Sequence, residues 1–170
     1  NKVCGSGMKA LIMGAQSILA GDNNVVVTGG MENMTMAPHL LVSGRAGIKF
    51  GEGKVLDSMQ YDGLRDAYSD QAMGVCAELC VERYGITRDE LDDYAEMSFR
   101  RAQAAQAEGV FKAEIGAIKV PGKKGQNSTI LEDEGPSKVN FDKLRSLSPA
   151  FLKAGKITAA NASSINDGAA

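Results

Sequence analysis

Cys4 is followed directly by Gly5-Ser6-Gly7 and then by an apolar periodicity that predicts a helix. A cysteine at a helix start meets unpaired N–H groups and the positive end of the helix dipole. That setting favours the thiolate, the form in which a cysteine attacks an electrophile. The small residues after it leave room for a substrate to approach the backbone. The alternative is a buried structural cysteine, the commoner fate of a free thiol. A nucleophile needs a base, and His39 is the only histidine, so a Cys4–His39 pair is chemically open. His39 follows Pro38 in a segment that reads as surface loop, which favours a solvated ring. Cys76 and Cys80 are four apart on one predicted helix and could offer two metal ligands, but no further cysteine or nearby histidine completes a site. They read as helix-face or core residues, and Met31, Met34 and Met36 read as packing. Lys123-Lys124 is a short basic loop that could meet a phosphate, with a solvated turn as the default. The chain carries no Gly-rich phosphate loop ending in Lys-Ser/Thr and no dinucleotide fingerprint.

The elements that must position these residues are legible from periodicity and turn chemistry. Met8, Leu11, Ile12, Ala15 and Leu19 mark a helix face ending near Ala20-Gly21, with Asp22-Asn23-Asn24 as the turn. Val25-Val26-Val27-Thr28 predicts a short buried strand, ended by Gly29-Gly30. A helix followed by a buried strand argues for an α/β layer. Residues 35–70 are broken by Pro38, Gly44, Gly47, Gly51 and Gly53 and read as loop with short helical turns. Residues 73–84 predict a helix with Met73, Ala77, Cys80, Val81 and Tyr84 on its inner face. Thr87 and Glu90 form a capping box that opens a second helix. Its inner face is expected at Leu91, Tyr94, Ala95, Ser98, Ala102 and Ala105, with Gly109 as the stop. Residues 115–120 and 128–131 read as a hairpin about Pro121-Gly122, Glu132-Asp133-Glu134 as an acidic loop, and residues 157–160 as a further strand.

Composition bounds the function. The 170 residues are 44% hydrophobic and 24% charged, which suits a globular chain. Nineteen Lys and Arg against twenty-one Asp and Glu give a net charge of −2, so a general nucleic-acid footprint is not expected. No apolar run approaches the ~18 residues of a membrane span. Three cysteines suit a reducing compartment better than a disulfide framework. The chain begins at Asn1 and stops in a small-residue run, as expected of an internal piece of a larger protein. Any targeting segment would then lie outside it. The texture of residues 35–155 differs from both ends and suggests an insertion carried by an α/β domain.

Four segments carry a resemblance. Asn1-Lys2-Val3-Cys4-Gly5-Ser6-Gly7-Met8-Lys9-Ala10 closely resembles the nucleophile segment of thiolases. Gly29-Gly30-Met31-Glu32-Asn33-Met34 resembles the family's glycine–methionine turn, and Met73-Gly74-Val75-Cys76-Ala77-Glu78 its Met-Gly helix start. The run from Thr158 through Asn161-Ala162-Ser163 to Asp167-Gly168-Ala169-Ala170 resembles its signature return strand. The likeness covers essentially the whole chain and is nearest to the biosynthetic, short-chain acetyl-CoA acetyltransferases.

The resemblance implies an α/β chain that is part of a layered α/β/α/β/α fold. Residues 1–34 would belong to the N-terminal domain with the nucleophile helix, 35–155 to a CoA-binding loop domain, and 156–170 to the return strand. It implies the condensation of two acetyl-CoA molecules to acetoacetyl-CoA and CoA, and the reverse thiolysis, through an acyl-thioester on Cys4. Coenzyme A and acetyl-CoA would be substrates rather than tightly bound cofactors, and no metal is implied. Leu64, Met73, Phe151, Ala159 and Ser163 would line the CoA pocket. The first three would pack on the pantetheine or adenine, with ordinary core packing as the alternative, and Ser163 would hydrogen-bond the pantetheine amide. A homodimer or homotetramer in the cytoplasm or mitochondrion, without nucleic-acid or membrane partners, completes the implication.

Departures narrow it. The acetoacetyl-CoA thiolases usually have alanine where this chain has Gly5, and biosynthetic members often have histidine where it has Ala72, which removes a polar contact on the CoA side. A potassium-activated type uses tyrosine where this chain has Phe99, so the same potassium site is not expected. The family's Gly-His-Pro, Cys-x-Gly and Asn-Glu-Ala-Phe motifs are not in the chain. A CoA- or acyl-binding module without turnover is therefore the alternative function. A decarboxylating or condensing relative is disfavoured by Asn166-Asp167-Gly168-Ala169-Ala170.

Overall fold

The computed structural model describes residues 1–122 and 126–170. The Lys123-Lys124 pair singled out above lies outside the described residues. The chain forms two compact units, residues 1–73 with 164–170 and residues 74–163, which divide the expected insertion 35–155 between them.

In the first unit, Val3–Gly5 makes a single 3-10 turn that runs into α1, Ser6–Leu19. The helix stops where expected, and Gly21 follows at φ +82°, a left-handed conformation that favours glycine. Gly14 is the buried residue of α1. A Cβ there would sit 2.8 Å from Thr28 Cγ2 and 3.2 Å from Val26 Cγ1, so glycine lets the helix close onto these two side chains. The buried strand expected at Val25–Thr28 is not formed. Its burial alternates, with Val26 and Thr28 half-buried against Val25 and Val27 exposed, as on a pleated segment. No described residue offers it a ladder partner, so β-branched side chains alone do not make a strand there.

The expected glycine–methionine turn holds a strand instead. β1, Met31–Asn33, pairs antiparallel with the C-terminal strand, Asp167–Ala169. Gly30 and Ala170 prolong the ladder by exchanging two backbone hydrogen bonds of 2.9 and 3.1 Å. Residues 35–70, read as loop, contain a hairpin of β2, His39–Leu41, and β3, Val55–Asp57. Three-residue strands are too short for a period-two pattern to register in the sequence. A π turn, Met59–Gly63, follows, then an isolated bridge between Arg65 and Ala72. The methionine cluster does not pack as expected: Met31 and Met36 are exposed and only Met34 is half-buried.

The second unit is built on α2, Met73–Tyr84, and α3, Arg88–Ala107, whose bounds match the sequence reading. The capping box forms in both directions: Thr87 Oγ1 accepts the Glu90 N–H, and Glu90 Oε2 accepts the Thr87 N–H at 2.7 Å. Gly109, at φ +69°, follows the helix end. The expected inner faces hold in part: Val81 and Ala95 are buried, and Ala77, Leu91, Ala102 and Ala105 are half-buried. α2 buries Glu78 and Val81 and leaves Cys80 and Tyr84 exposed; α3 buries Asp92 and Ala95 and leaves Tyr94 and Ser98 exposed. The periodicity left out Glu78 and Asp92, carboxylates on the same faces that are buried because they have hydrogen-bond partners.

β4, Ile118–Pro121, and β5, Asn127–Ile130, form the expected hairpin. The acidic loop becomes a helix start: Asp133 Oδ1 accepts the Gly135 N–H ahead of α4, Glu134–Ser137. α5, Phe141–Leu144, carries Leu144, which with Val81, Ala95 and Ile157 makes the apolar core of this unit. The strand expected at 157–160 is absent; a turn over Thr158–Ala162 takes its place, and the strand nearest the end is β6, Asp167–Ala169.

Candidate active site

Cys4 sits on the 3-10 turn, exposed, immediately before α1. Asn1 and Lys2, which lead into it, are in neither helix nor strand. Val3 before it adopts φ +52°, a left-handed conformation that is a genuine outlier for a β-branched residue. Neighbouring side chains hold that shape. The Val3 N–H donates to Asn1 Oδ1 at 2.6 Å, the Lys2 N–H to Ser6 Oγ at 2.9 Å, and the Ser6 hydroxyl to the Val3 carbonyl at 2.7 Å. Gly5, at the N-cap of α1, supplies no side-chain acceptor, so the helix begins without a side-chain cap beside the cysteine. Gly30 lies close by: a Cβ on it would be 4.0 Å from Gly7 Cα. The strand beyond is fastened by Asp167, whose Oδ1 accepts the Thr35 N–H at 2.9 Å. Hydrogen bonds from the Thr35 amide and hydroxyl, and one from the Met34 amide, hold the Asp167 carboxyl below its ordinary value of 3.8.

Leu64 and Met73 are brought together in the first unit. The Met73 N–H donates to the Leu64 carbonyl at 2.9 Å across the Arg65–Ala72 bridge, with Leu64 half-buried and Met73 partly exposed. Ala72 stands opposite Arg65 and lines a cavity of about 240 Å³ with Tyr61, Arg65 and Asp70. Arg65 is ion-paired with Asp70 and lies over the Tyr61 ring, 5.3 Å from its centroid. The sequence reading missed this guanidinium beside Leu64; a lone arginine in an irregular stretch gives no periodic signal.

Phe151, Ala159 and Ser163 are brought together on one segment of the second unit. The Phe151 ring lies across Gly74: a Cβ on Gly74 would overlap three ring carbons. Ala159 and Ser163 are exposed on and just after the turn over Thr158–Ala162. The Glu78 carboxylate reaches this segment from α2. Its Oε1 accepts the Lys156 N–H at 2.9 Å and the Ile157 N–H at 2.8 Å, and its Oε2 accepts the Lys156 N–H at 2.9 Å. Asp92 reaches it from α3: Oδ1 accepts from Asn161 Nδ2 at 2.9 Å and Oδ2 from Arg88 Nε at 2.7 Å. Glu78, Asp92 and Asn161 were absent from the sequence-based site. Glu78 and Asp92 gave the weak signal of a charged residue in step with helix positions that turn out to be buried, and Glu78 and Asn161 lie within the family-like segments.

His39, Cys76 and Cys80 are the remaining candidates. His39 is exposed on β2, opposite Asp57 in the hairpin, and no hydrogen bond joins it to Cys4 among the described residues. Cys76 is half-buried and Cys80 exposed. Among the described residues no group of three His, Cys, Asp or Glu side chains is placed to hold a metal, and no helix is long and apolar enough to cross a membrane.

The family model for the N-terminal domain of thiolase matches residues 1–170. The chain belongs to the thiolase family. It is 52% identical to acetyl-CoA acetyltransferase 2 of Arabidopsis thaliana over 172 residues, all of this chain and 43% of that one. It is 51% identical to a probable acetyl-CoA acyltransferase of Staphylococcus epidermidis, again over 43% of the relative. The crystal structure of the Acat5 thiolase from Ascaris suum in complex with coenzyme A superimposes with a TM-score of 0.88 at 46% identity, over 99% of this chain and 42% of that one. The chain thus has the α/β fold of the thiolase N-terminal domain and spans less than half the length of these thiolases.

Proposed function

We propose that this chain is the nucleophile-bearing part of an acetyl-CoA acetyltransferase. In that reading Cys4 takes the acetyl group of acetyl-CoA as a thioester and releases CoA. The acyl-enzyme is then consumed by the enolate of a second acetyl-CoA, giving acetoacetyl-CoA; thiolysis is the reverse. A thiolate is a good nucleophile, and the thioester it forms keeps the carbonyl electrophilic for the second step. The observation that carries this reading is the placement of Cys4: exposed, on a strained turn held by Asn1 and Ser6, at the open start of α1, in a chain that matches the thiolase N-terminal domain throughout.

Leu64, Met73, Phe151, Ala159 and Ser163 form the proposed CoA-contacting set, with Ser163 as the polar contact. Residues 35–155 correspond in this reading to the CoA-binding loop domain, and residues 1–34 and 156–170 to the N-terminal domain proper. Acyl-CoA substrates and a homodimeric or homotetrameric assembly belong to the same reading, with the Asn-Lys-Val-Cys form of the nucleophile segment favouring short acyl chains. The proton-transfer groups would come from the rest of the full-length protein.

The test is to incubate the full-length protein with acetyl-CoA and map the adduct by peptide mass spectrometry. Acetyl on Cys4, with turnover lost in Cys4→Ala, is the expected result. Acetyl on Cys76 or Cys80 with Cys4 unmodified overturns the assignment. CoA binding without any adduct would make the protein a binding module.

A further inference from the structure

Residues 147–163 carry three of the five proposed CoA contacts, yet they contain neither helix nor strand. A segment without a ladder must satisfy its backbone polar groups by other means. Here side chains from α2 and α3, the two long helices of this unit, do so. Glu78 on α2 is only 7% exposed, and its carboxylate closes on the N–H groups of Lys156 and Ile157. Asp92 on α3 is 1% exposed and holds Asn161. Asn161 in turn donates to the Lys156 carbonyl at 3.1 Å and accepts the Thr158 N–H at 2.7 Å, which fixes the turn that presents Ala159. Arg88 completes the Asp92 side and donates to the Leu147 carbonyl at 3.0 Å, so the segment is held at its start as well.

The surroundings are shaped for these carboxylates. A Cβ on Gly155 would overlap Glu78 Oε1, so glycine lets the backbone approach the carboxylate without displacing it. Gly74, four residues before Glu78 on the same face of α2, seats the Phe151 ring in the same way. Burying a carboxylate is costly unless donors surround it, and packing alone would be served better by an apolar side chain. The geometry therefore answers a positional need, not a packing one.

We propose that Glu78 and Asp92 are positioning residues for the coenzyme A site: two buried carboxylates, one from each long helix, that set the shape in which Phe151, Ala159 and Ser163 meet the ligand. This rests on the CoA reading of those three residues. Neither carboxylate touches substrate in this assignment; each acts through the backbone of the segment.

The experiment uses the full-length protein and its Glu78→Gln, Asp92→Asn, Asn161→Ala and Ser163→Ala variants. Three quantities are read: KM and kcat with acetoacetyl-CoA and CoA, amide hydrogen exchange over residues 155–163, and the rate at which iodoacetamide alkylates Cys4. An amide in place of either carboxylate sets N–H against N–H or weakens a charged acceptor. KM should rise about tenfold with kcat within about twofold, exchange over 155–163 should quicken, and Cys4 alkylation should be unchanged. Asn161→Ala, which removes the link between Asp92 and the turn and leaves both carboxylates in place, should reproduce the Asp92→Asn effect. Unchanged KM and exchange in the carboxylate variants overturn the proposal, even where Ser163→Ala weakens binding and upholds the CoA reading. Conversely, quickened exchange in the carboxylate variants with Ser163→Ala silent retires the CoA reading and leaves the anchoring intact. Failure of all three anchor variants to fold also overturns it, since the groups would then hold the whole unit and not the segment.

Discussion

The side chains that matter most in this chain are held by neighbours that satisfy their polar atoms. Val3 keeps a left-handed backbone because Asn1 and Ser6 occupy the groups that a relaxed turn would release. Ser6→Ala should therefore slow Cys4 alkylation and acetylation in the full-length protein with little loss of CoA affinity, measured by timed mass spectrometry beside calorimetry. Gly74→Ala is the sharper steric test. A methyl cannot occupy the volume of the Phe151 ring, so the ring must move. A cost of about 1–3 kcal/mol in urea unfolding is expected, with weakened CoA binding. Asp167 gives a pH prediction. Its folded carboxyl is held below the ordinary value by Thr35, so its stabilising contribution is complete above the unfolded value of about 3.9 and is lost as pH falls through the lower folded value. The difference in urea midpoint between the protein and Asp167→Asn should be flat from neutral pH to about 5 and shrink below about 4.

Among the elements, the helices were legible because their signals are local. The spacing of Met8, Leu11, Ile12, Ala15 and Leu19, and the pair Thr87 and Glu90, lie within a few turns of one another. Thr87→Ala should cost about 1 kcal/mol in chemical unfolding, because the Glu90 N–H loses its acceptor at the start of α3. Glu90 is itself held below the ordinary carboxylate range, first by the Thr87 N–H and then by its hydroxyl, so its part of the cap persists at neutral pH and fails in acid. The short strands were less legible. β2 and β3 span three residues each and are defined by each other across thirteen intervening residues, not by their own composition. Two buried positions of α2 and α3 were missed for a related reason: Glu78 and Asp92 look like solvent-facing residues until their partners are known.

At the scale of the whole molecule, much apolar surface is left uncovered. Leu19, Val25, Val27 and Phe50 are almost fully exposed, while the apolar core of the second unit rests on Val81, Ala95, Leu144 and Ile157. Expressed alone, these 170 residues should bind a hydrophobic dye strongly and show no thiolysis of acetoacetyl-CoA above a Cys4→Ala control. Turnover near that of a complete thiolase, abolished by that control, would show that the chain holds its own base, with His39 the first residue to test. The sequence by itself determined helices α1, α2 and α3, the β4–β5 hairpin and the family, because caps, periodicities and contiguous motifs are encoded within short stretches. Only the tertiary structure decided that Val25–Thr28 stays unpaired here and that residues 157–163 form an anchored turn instead of a strand. The reason is distance along the chain: the turn's anchors, Glu78 with Ile157 and Asp92 with Asn161, are 79 and 69 residues apart. Hydrogen bonds of that span leave no periodic trace in a sequence, since only folding brings donor and acceptor together.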